Sequence, residues 1–234
     1  MIVMECIVLA GGFGTRLRSV VEDIPKCMAP VNEQPFLHYV FKYLADNYCD
    51  RVILSLGYKH EYITNWVNEN EFPFTVDHVI EQEPLGTGGG IQLAMKEAQE
   101  ENVFVLNGDT IFNVNLNLLQ TFHNTHFAET TLALKEMHEF DRYGVVNVND
   151  NGCINSFEEK QYRDKGLING GAYLINKQAL LDKQLPEKFS FEKDYLEAYV
   201  SEQKFYGYVS DGYFLDIGIP EDYYKAAEDF KTLF

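Results

Sequence analysis

Gly11, Gly12 and Gly14 fall within four positions at the end of the apolar run Ile7-Val8-Leu9-Ala10, and Arg16, Arg18 and Lys26 follow. Glycines let backbone N–H groups approach an anion closely, arginine forks bind phosphate oxygens bidentately, and a lysine adds a point charge. Together they make a place to hold phosphates. A P-loop requires Lys and then Ser or Thr directly after its last glycine, whereas Gly14 is followed by Thr15 and Arg16. A dinucleotide fingerprint lacks its third glycine, since Leu17 stands there, and Pro25 and Pro30 interrupt any helix that would follow. A plain turn after a core strand leaves the clustered cations unexplained.

Further along the chain, other residues are suited to the same chemistry. Glu81-Gln82-Glu83-Pro84-Leu85-Gly86-Thr87-Gly88-Gly89-Gly90 combines a special backbone path with an amide at Gln82 that both donates and accepts, as reading a nucleobase edge requires. Asp109 follows an apolar strand, Val103–Leu106, and a glycine, a position from which a carboxylate can coordinate a cation together with phosphate oxygens. Tyr143-Gly144 permits close backbone approach, Glu159 can accept hydrogen bonds from hydroxyl groups, Lys160 can meet a phosphate, and Asn169 before Gly170 can donate and accept. Taken singly, Glu158-Glu159-Lys160 is an ordinary charged turn and Tyr143 an ordinary core residue.

Leu9-Ala10-Gly11-Gly12-x-Gly14-Thr15-Arg16-Leu17-Arg18, followed by Pro25-Lys26-x-Met28-x-Pro30-Val31, resembles the signature of the sugar-phosphate nucleotidyltransferases. The resemblance extends through Asp109 and the two later segments to Phe214-Leu215-Asp216-Ile217-Gly218. It implies that an NTP and a sugar 1-phosphate are joined to give an NDP-sugar and pyrophosphate, with Mg²⁺ as cofactor. Arg16, Lys26, Asp109 and Asp216 are then the catalytic set, and Asp109 and Asp216 the metal ligands. Leu9, Ala10, Gly11, Gly12, Gly14, Thr15, Arg16, Gln82, Gly86, Thr87 and Asp109 would hold the nucleotide. Lys26, Tyr143, Gly144, Glu159, Lys160, Asn169 and Gly170 would hold the sugar phosphate. Ser19-Val20-Val21 and Asp23-Ile24-Pro25-Lys26 most resemble the branch that guanylylates D-glycero-α-D-manno-heptose 1-phosphate, with a mannose 1-phosphate enzyme or a catalytically retired nucleotide-sugar sensor as rivals. In relatives a Ser-x-Glu-x-Asp segment corresponds to Ser190, Glu192 and Asp194, and a proline is usual where Gln161 stands.

These residues must be positioned by an alternating frame. Phe36, Leu37, Val40, Phe41, Leu44 and Tyr48 recur at helical spacing, and Arg51–Leu56 reads as a buried strand. A helix over 61–68, a strand over 74–80, a helix over about 89–98 and a strand over 103–106 continue the pattern. Such alternation predicts an α/β, Rossmann-like, mainly parallel sheet flanked by helices, with ligands outside the carboxyl ends of its strands. Beyond about Thr130 short strand-like pieces predict a smaller, partly antiparallel layer for the sugar, within one nucleotidyltransferase domain over 1–234.

With 19 Lys and Arg against 36 Asp and Glu, the net charge is −17, which repels nucleic acid and anionic membranes. Any anionic ligand therefore needs a local basic pocket. Cys6, Cys27, Cys49 and Cys153 lack metal-ligand spacing, and no apolar run reaches the about 18 residues of a membrane span, so a reduced cytoplasmic setting is expected. Homo-oligomerisation is left open.

Overall fold

The structure, a computed structural model, describes residues 3–12, 17, 20–21 and 24–234. Its first half runs β1 (Glu5–Leu9), a 3₁₀ turn (Lys26–Met28), the small hairpin β2 (Pro30–Val31) and β3 (Gln34–Pro35), α1 (Phe36–Asp46), β4 (Arg51–Leu56), α2 (His60–Asn68), β5 (Thr75–Ile80), α3 (Gly86–Met95), β6 (Asn102–Asn107), β7 (Thr110–Phe112) and α4 (Leu116–His126). The second half runs β8 (Thr130–Phe140), β9 (Val146–Val148), β10 (Ile154–Phe157), β11 (Arg163–Asn176), α5 (Lys177–Asp182), a π-helical turn (Phe191–Glu197), a 3₁₀ turn (Val200–Glu202), β12 (Phe205–Ser210), β13 (Phe214–Asp216) and α6 (Pro220–Leu233).

Seven strands share one sheet in the order β12-β8-β11-β6-β1-β4-β5. β1 is parallel to β4 and β6, β4 to β5, and β12 to β8, while β11 runs antiparallel to β6 and β8. Because successive strand residues face opposite sides, the continuous apolar run of β1 feeds two cores. Cys6 and Val8 pack with α1 residues Phe36, Val40 and Leu44, whereas Ile7 packs with Ile91 and Met95 of α3. The expected parallel α/β sheet is thus present.

Three expectations need correction. The strands after Thr130 form less of a separate layer than their pattern implies, because β8, β11 and β12 extend the main sheet and only the β9–β10 ribbon stands apart from it. Short apolar pieces concealed the length of β8 and β11, which are 11 and 14 residues long. Their polar halves pair with each other beyond the core, Lys165 opposite His138 and Leu167 opposite Glu136. Tyr48 is not the last apolar position of α1: the helix stops at Asp46, and Tyr48 turns out at φ +59°, 82% exposed, so that the chain can enter β4. Finally α3 begins at Gly86, three residues before the expected start, for a packing reason given below.

Candidate active site

The centre of the site is made by two crossing loops. β6 ends at Asn107, and Gly108 passes so close under β1 that a Cβ there would stand 2.7 Å from the Leu9 carbonyl. The chain then enters β7, which pairs antiparallel with β13 and sets Asp216 opposite Thr110. Ile217 N–H donates to the Asp109 carbonyl at 3.1 Å, locking the two loops together. Two carboxylates 107 residues apart in sequence, Asp109 and Asp216, thereby face one point.

Lys26 occupies that point. It opens the 3₁₀ turn after Pro25, and its Nζ donates to Asp109 Oδ2 at 2.5 Å and to Asp216 Oδ1 at 3.2 Å. Burial works against the Lys26 ammonium, but the two carboxylates outweigh it and raise its pKa. Asp216 is raised by its own burial and by the charge of Asp109, with Lys26 and Arg142 opposing. Two close carboxylates, one largely buried, require a cation between them. Among the described residues no third His, Cys, Asp or Glu joins them in a metal-sized cluster. Two carboxylates with phosphate oxygens and water would suit Mg²⁺, so the donor set fits a hard divalent cation.

Two cavities open from this centre. One of about 320 Å³ lies over the carboxyl ends of β1, β4 and β6 and is lined by Leu9, Gly11, Gly12, Ser55, Glu81 and Pro84 and by Gly86 and Thr87 at the start of α3. That is where ligands sit in a parallel sheet, with helix N–H groups facing an anion. Gly12 faces open space, whereas Gly11 packs closely on Gly57, where a Cβ would stand 3.2 Å from the Gly57 nitrogen. The second cavity, about 480 Å³, takes in Lys26, Tyr143, Gly144, Glu159, Lys160, Asn169, Gly170 and Asp216. Asn107, Asp109 and Glu192 line both cavities.

The wall of the larger cavity follows from a break in β11. Its register against β8 shifts between Asn169 and Tyr173, and Gly171 takes φ +72°, where a Cβ would strike the Asn107 amide at 2.6 Å. The bulge turns Asn169 so that its amide donates to the Tyr173 hydroxyl at 2.8 Å and accepts from Gly171 N–H at 3.0 Å. Gly144 is needed because the Glu158 carbonyl would stand 2.5 Å from a Cβ. Tyr143 packs edge-on against Phe214, and Arg142 beside it bonds Asp222 at 2.6 Å, tying this loop to the start of α6.

Of the residues singled out in the sequence, Lys26, Asp109 and Asp216 converge, and Leu9, Gly11, Gly12, Gly86 and Thr87 line the smaller cavity. Tyr143, Gly144, Glu159, Lys160, Asn169 and Gly170 line the larger. Gly14, Thr15, Arg16 and Arg18 lie outside the described residues. Two nucleotide candidates do not line the cavity. Ala10 is buried with its N–H given to the Ser55 carbonyl at 2.9 Å, and Gln82 is exposed, one residue past Glu81. Glu81 lines the cavity in its place: Oε2 accepts from Leu85 N–H at 2.9 Å, and burial raises its pKa despite that bond and one from Ser55. Asn107 and Ser55, both at strand ends, were also missed; their position just before the glycine and Asp109, or at the close of an apolar strand, was the available signal.

Residues 5–232 match the family model described as nucleotidyl transferase. The chain belongs to the nucleotidyl transferase family. Among curated members, it is 50% identical to a D-glycero-alpha-D-manno-heptose 1-phosphate guanylyltransferase of Aneurinibacillus thermoaerophilus, over 97% of this chain and 99% of the relative. It is 45% identical to a protein of the same description from Campylobacter jejuni, over 94% and 97% of the two chains. The fold of this nucleotidyl transferase superposes on HddC from Yersinia pseudotuberculosis complexed with GMP-PN, with a TM-score of 0.85 and 38% identity, covering 97% of this chain and 99% of that one.

Proposed function

We propose that the protein joins GTP to D-glycero-α-D-manno-heptose 1-phosphate, releasing pyrophosphate and forming GDP-heptose. The observation that carries this reading is the meeting of two cavities at Asp109, beside Asp216, on a chain 50% identical to one heptose 1-phosphate guanylyltransferase along nearly its whole length. A bisubstrate transfer needs two pockets that share one reacting point.

In this reading a sugar 1-phosphate oxygen attacks the α-phosphorus of GTP and pyrophosphate leaves in line. No protein nucleophile is required, so the chain supplies positioning and charge. Mg²⁺, held by Asp109 and Asp216, would neutralise phosphate charge when bound. Lys26, now paired to both carboxylates, would then turn its ammonium to the phosphates that meet beside it. Arg16 would hold the departing pyrophosphate, and Lys160 the sugar phosphate. Gly11 and Gly12 admit the nucleotide over the end of β1. Glu81 supplies base choice: guanine presents two adjacent N–H donors to a carboxylate, whereas uracil and thymine flank one donor with repelling carbonyls and cytosine places an acceptor there. Tyr143, Gly144, Glu159, Asn169 and Gly170 would surround the sugar.

The test is pyrophosphate release for GTP, UTP, dTTP, CTP and ATP against heptose, mannose and glucose 1-phosphates with Mg²⁺. GTP with the heptose should give the highest kcat/KM, and mannose 1-phosphate a lower one, because polar groups facing the missing hydroxymethylene go unpaired. A preference for mannose moves the protein to the hexose branch, and no pyrophosphate release with any pair leaves it a nucleotide-sugar sensor.

A further inference from the structure

Glu192 is the one carboxylate besides Asp109 that lines both cavities among the described residues. It stands on the π-helical turn Phe191–Glu197, a geometry that recurs at functional sites because it re-aims side chains. The turn is firmly anchored: Phe191 and Tyr195 are buried and stacked, Ser190 Oγ accepts from Lys193 N–H at 3.2 Å, and Asp194 accepts from Ser190 N–H at 2.7 Å. Asp194 is thereby spent on the turn. Glu192 Oε2 accepts from Thr87 Oγ1 at 2.8 Å and from Ser190 Oγ at 3.1 Å, and Thr87 Oγ1 in turn accepts from Phe191 N–H at 3.0 Å. Among the described residues Oε1 takes part in no hydrogen bond or ion pair.

The surroundings restrict what that carboxylate can take. An ionised carboxylate only accepts hydrogen bonds and repels phosphate oxygens, and it does not cluster with Asp109 and Asp216 as a metal ligand. What both cavities bring to their shared wall, next to the phosphates, is hydroxyl: the ribose hydroxyls of the nucleotide on one side and the ring hydroxyls of the sugar on the other. We infer that Glu192 is a specificity-determining residue that accepts hydrogen bonds from a substrate hydroxyl at the junction of the two cavities. The inference rests on the transfer reaction proposed above.

Four measurements on wild type, Glu192→Gln and Thr87→Val test it: melting temperature, Kd for GTP and for its 2′-deoxy and 3′-deoxy forms without sugar, KM for each substrate, and kcat/KM ratios of GTP to 2′-deoxy- and 3′-deoxy-GTP and of mannose 1-phosphate to its 2-deoxy analogue. Loss of a charged acceptor for one hydroxyl is expected to raise one KM about ten- to a hundredfold at unchanged melting temperature, and to collapse the matching hydroxyl-to-deoxy ratio by a similar factor. Collapse of the ribose ratio assigns the contact to the nucleotide, and collapse of the sugar ratio to the acceptor. The idea fails if neither ratio moves in Glu192→Gln, or if Thr87→Val collapses the same ratio equally, since Glu192 would then only hold Thr87. Should wild type release no pyrophosphate with any pair, the functional reading falls, while the Kd of Glu192→Gln for GTP against its deoxy forms still decides the ribose contact.

Discussion

Glu81 and Gln82 are neighbours of different hydrogen-bond capacity, and Glu81, which lines the smaller cavity, is the one to which the proposed reading gives the base contact. Glu81→Gln exchanges an acceptor pair for an acceptor and a donor, so kcat/KM for GTP should fall about ten- to a hundredfold while UTP gains relative to it; an unchanged nucleotide ranking would remove Glu81 from base recognition. Asp109→Asn and Asp216→Asn should each lower Mg²⁺-dependent turnover by at least the ten- to hundredfold that loss of an outer metal partner costs, with the melting temperature retained. Titrating Mg²⁺ against rate reads this directly. His123 lies outside the site, and its role is structural. Burial lowers its pKa to about 4, and its ring nitrogens meet Thr131 Oγ1 at 2.9 Å and Asn102 Oδ1 at 3.3 Å. Below about pH 6.5 the unfolded chain takes the proton that the folded one refuses until about pH 4, so stability is lost as pH falls through that window. Wild type should lose about 2 kcal/mol between pH 7 and about pH 5 beyond any loss shown by His123→Gln, measured by urea unfolding. At this scale the sequence revealed residue type but not direction. The convergence of Lys26, Asp109 and Asp216 and the place of Gly11 and Gly12 at a cavity wall were legible from their motifs, whereas Glu81 is distinguished from Gln82 only by the turn between β5 and α3.

At the scale of elements the glycines of α3 are the clearest case of packing overriding propensity. Gly→Ala within a helix normally gains about 1 kcal/mol. At Gly89 a Cβ would stand 2.3 Å from the Glu187 carbonyl, and at Gly88 it would lie 2.1 Å from the Phe189 ring. Gly89→Ala should therefore destabilise by about 1–3 kcal/mol, the cost of overpacking against backbone, and a gain in denaturation midpoint would refute the close contact. The same crowding explains why α3 begins at Gly86: Gly88 N–H donates to the Phe189 carbonyl at 3.1 Å, so this turn is braced by a segment a hundred residues away. A local reading treats Gly86–Gly88 as loop because nothing nearby reveals that brace. Strands β1, β4 and β6 were legible since buried parallel strands are continuous apolar runs, while β8 and β11 were truncated to their buried halves.

For the whole molecule, charge and topology act in opposite senses. A protein of net charge −17 repels anionic substrates at long range, and the larger cavity sets Lys26, Lys160 and Lys193 among six carboxylates, so attraction there comes only from single ammonium groups at contact distance. Sheet order places β6 between β1 and β11, so the two cavities flank a single strand end, which no separate reading of the two halves of the sequence would reveal. No helix among the described residues is long and apolar enough to cross a membrane. The shared wall of Asn107, Asp109 and Glu192 has one more outcome. In the proposed transfer each substrate enters as a separate body and loses its own translational freedom, but the nucleotide sugar that leaves would be one body filling both rooms. Its second half binds at the effective concentration set by its first. Turnover thus makes a ligand held from two sides at once, and forward flux depends on whatever carries that ligand away.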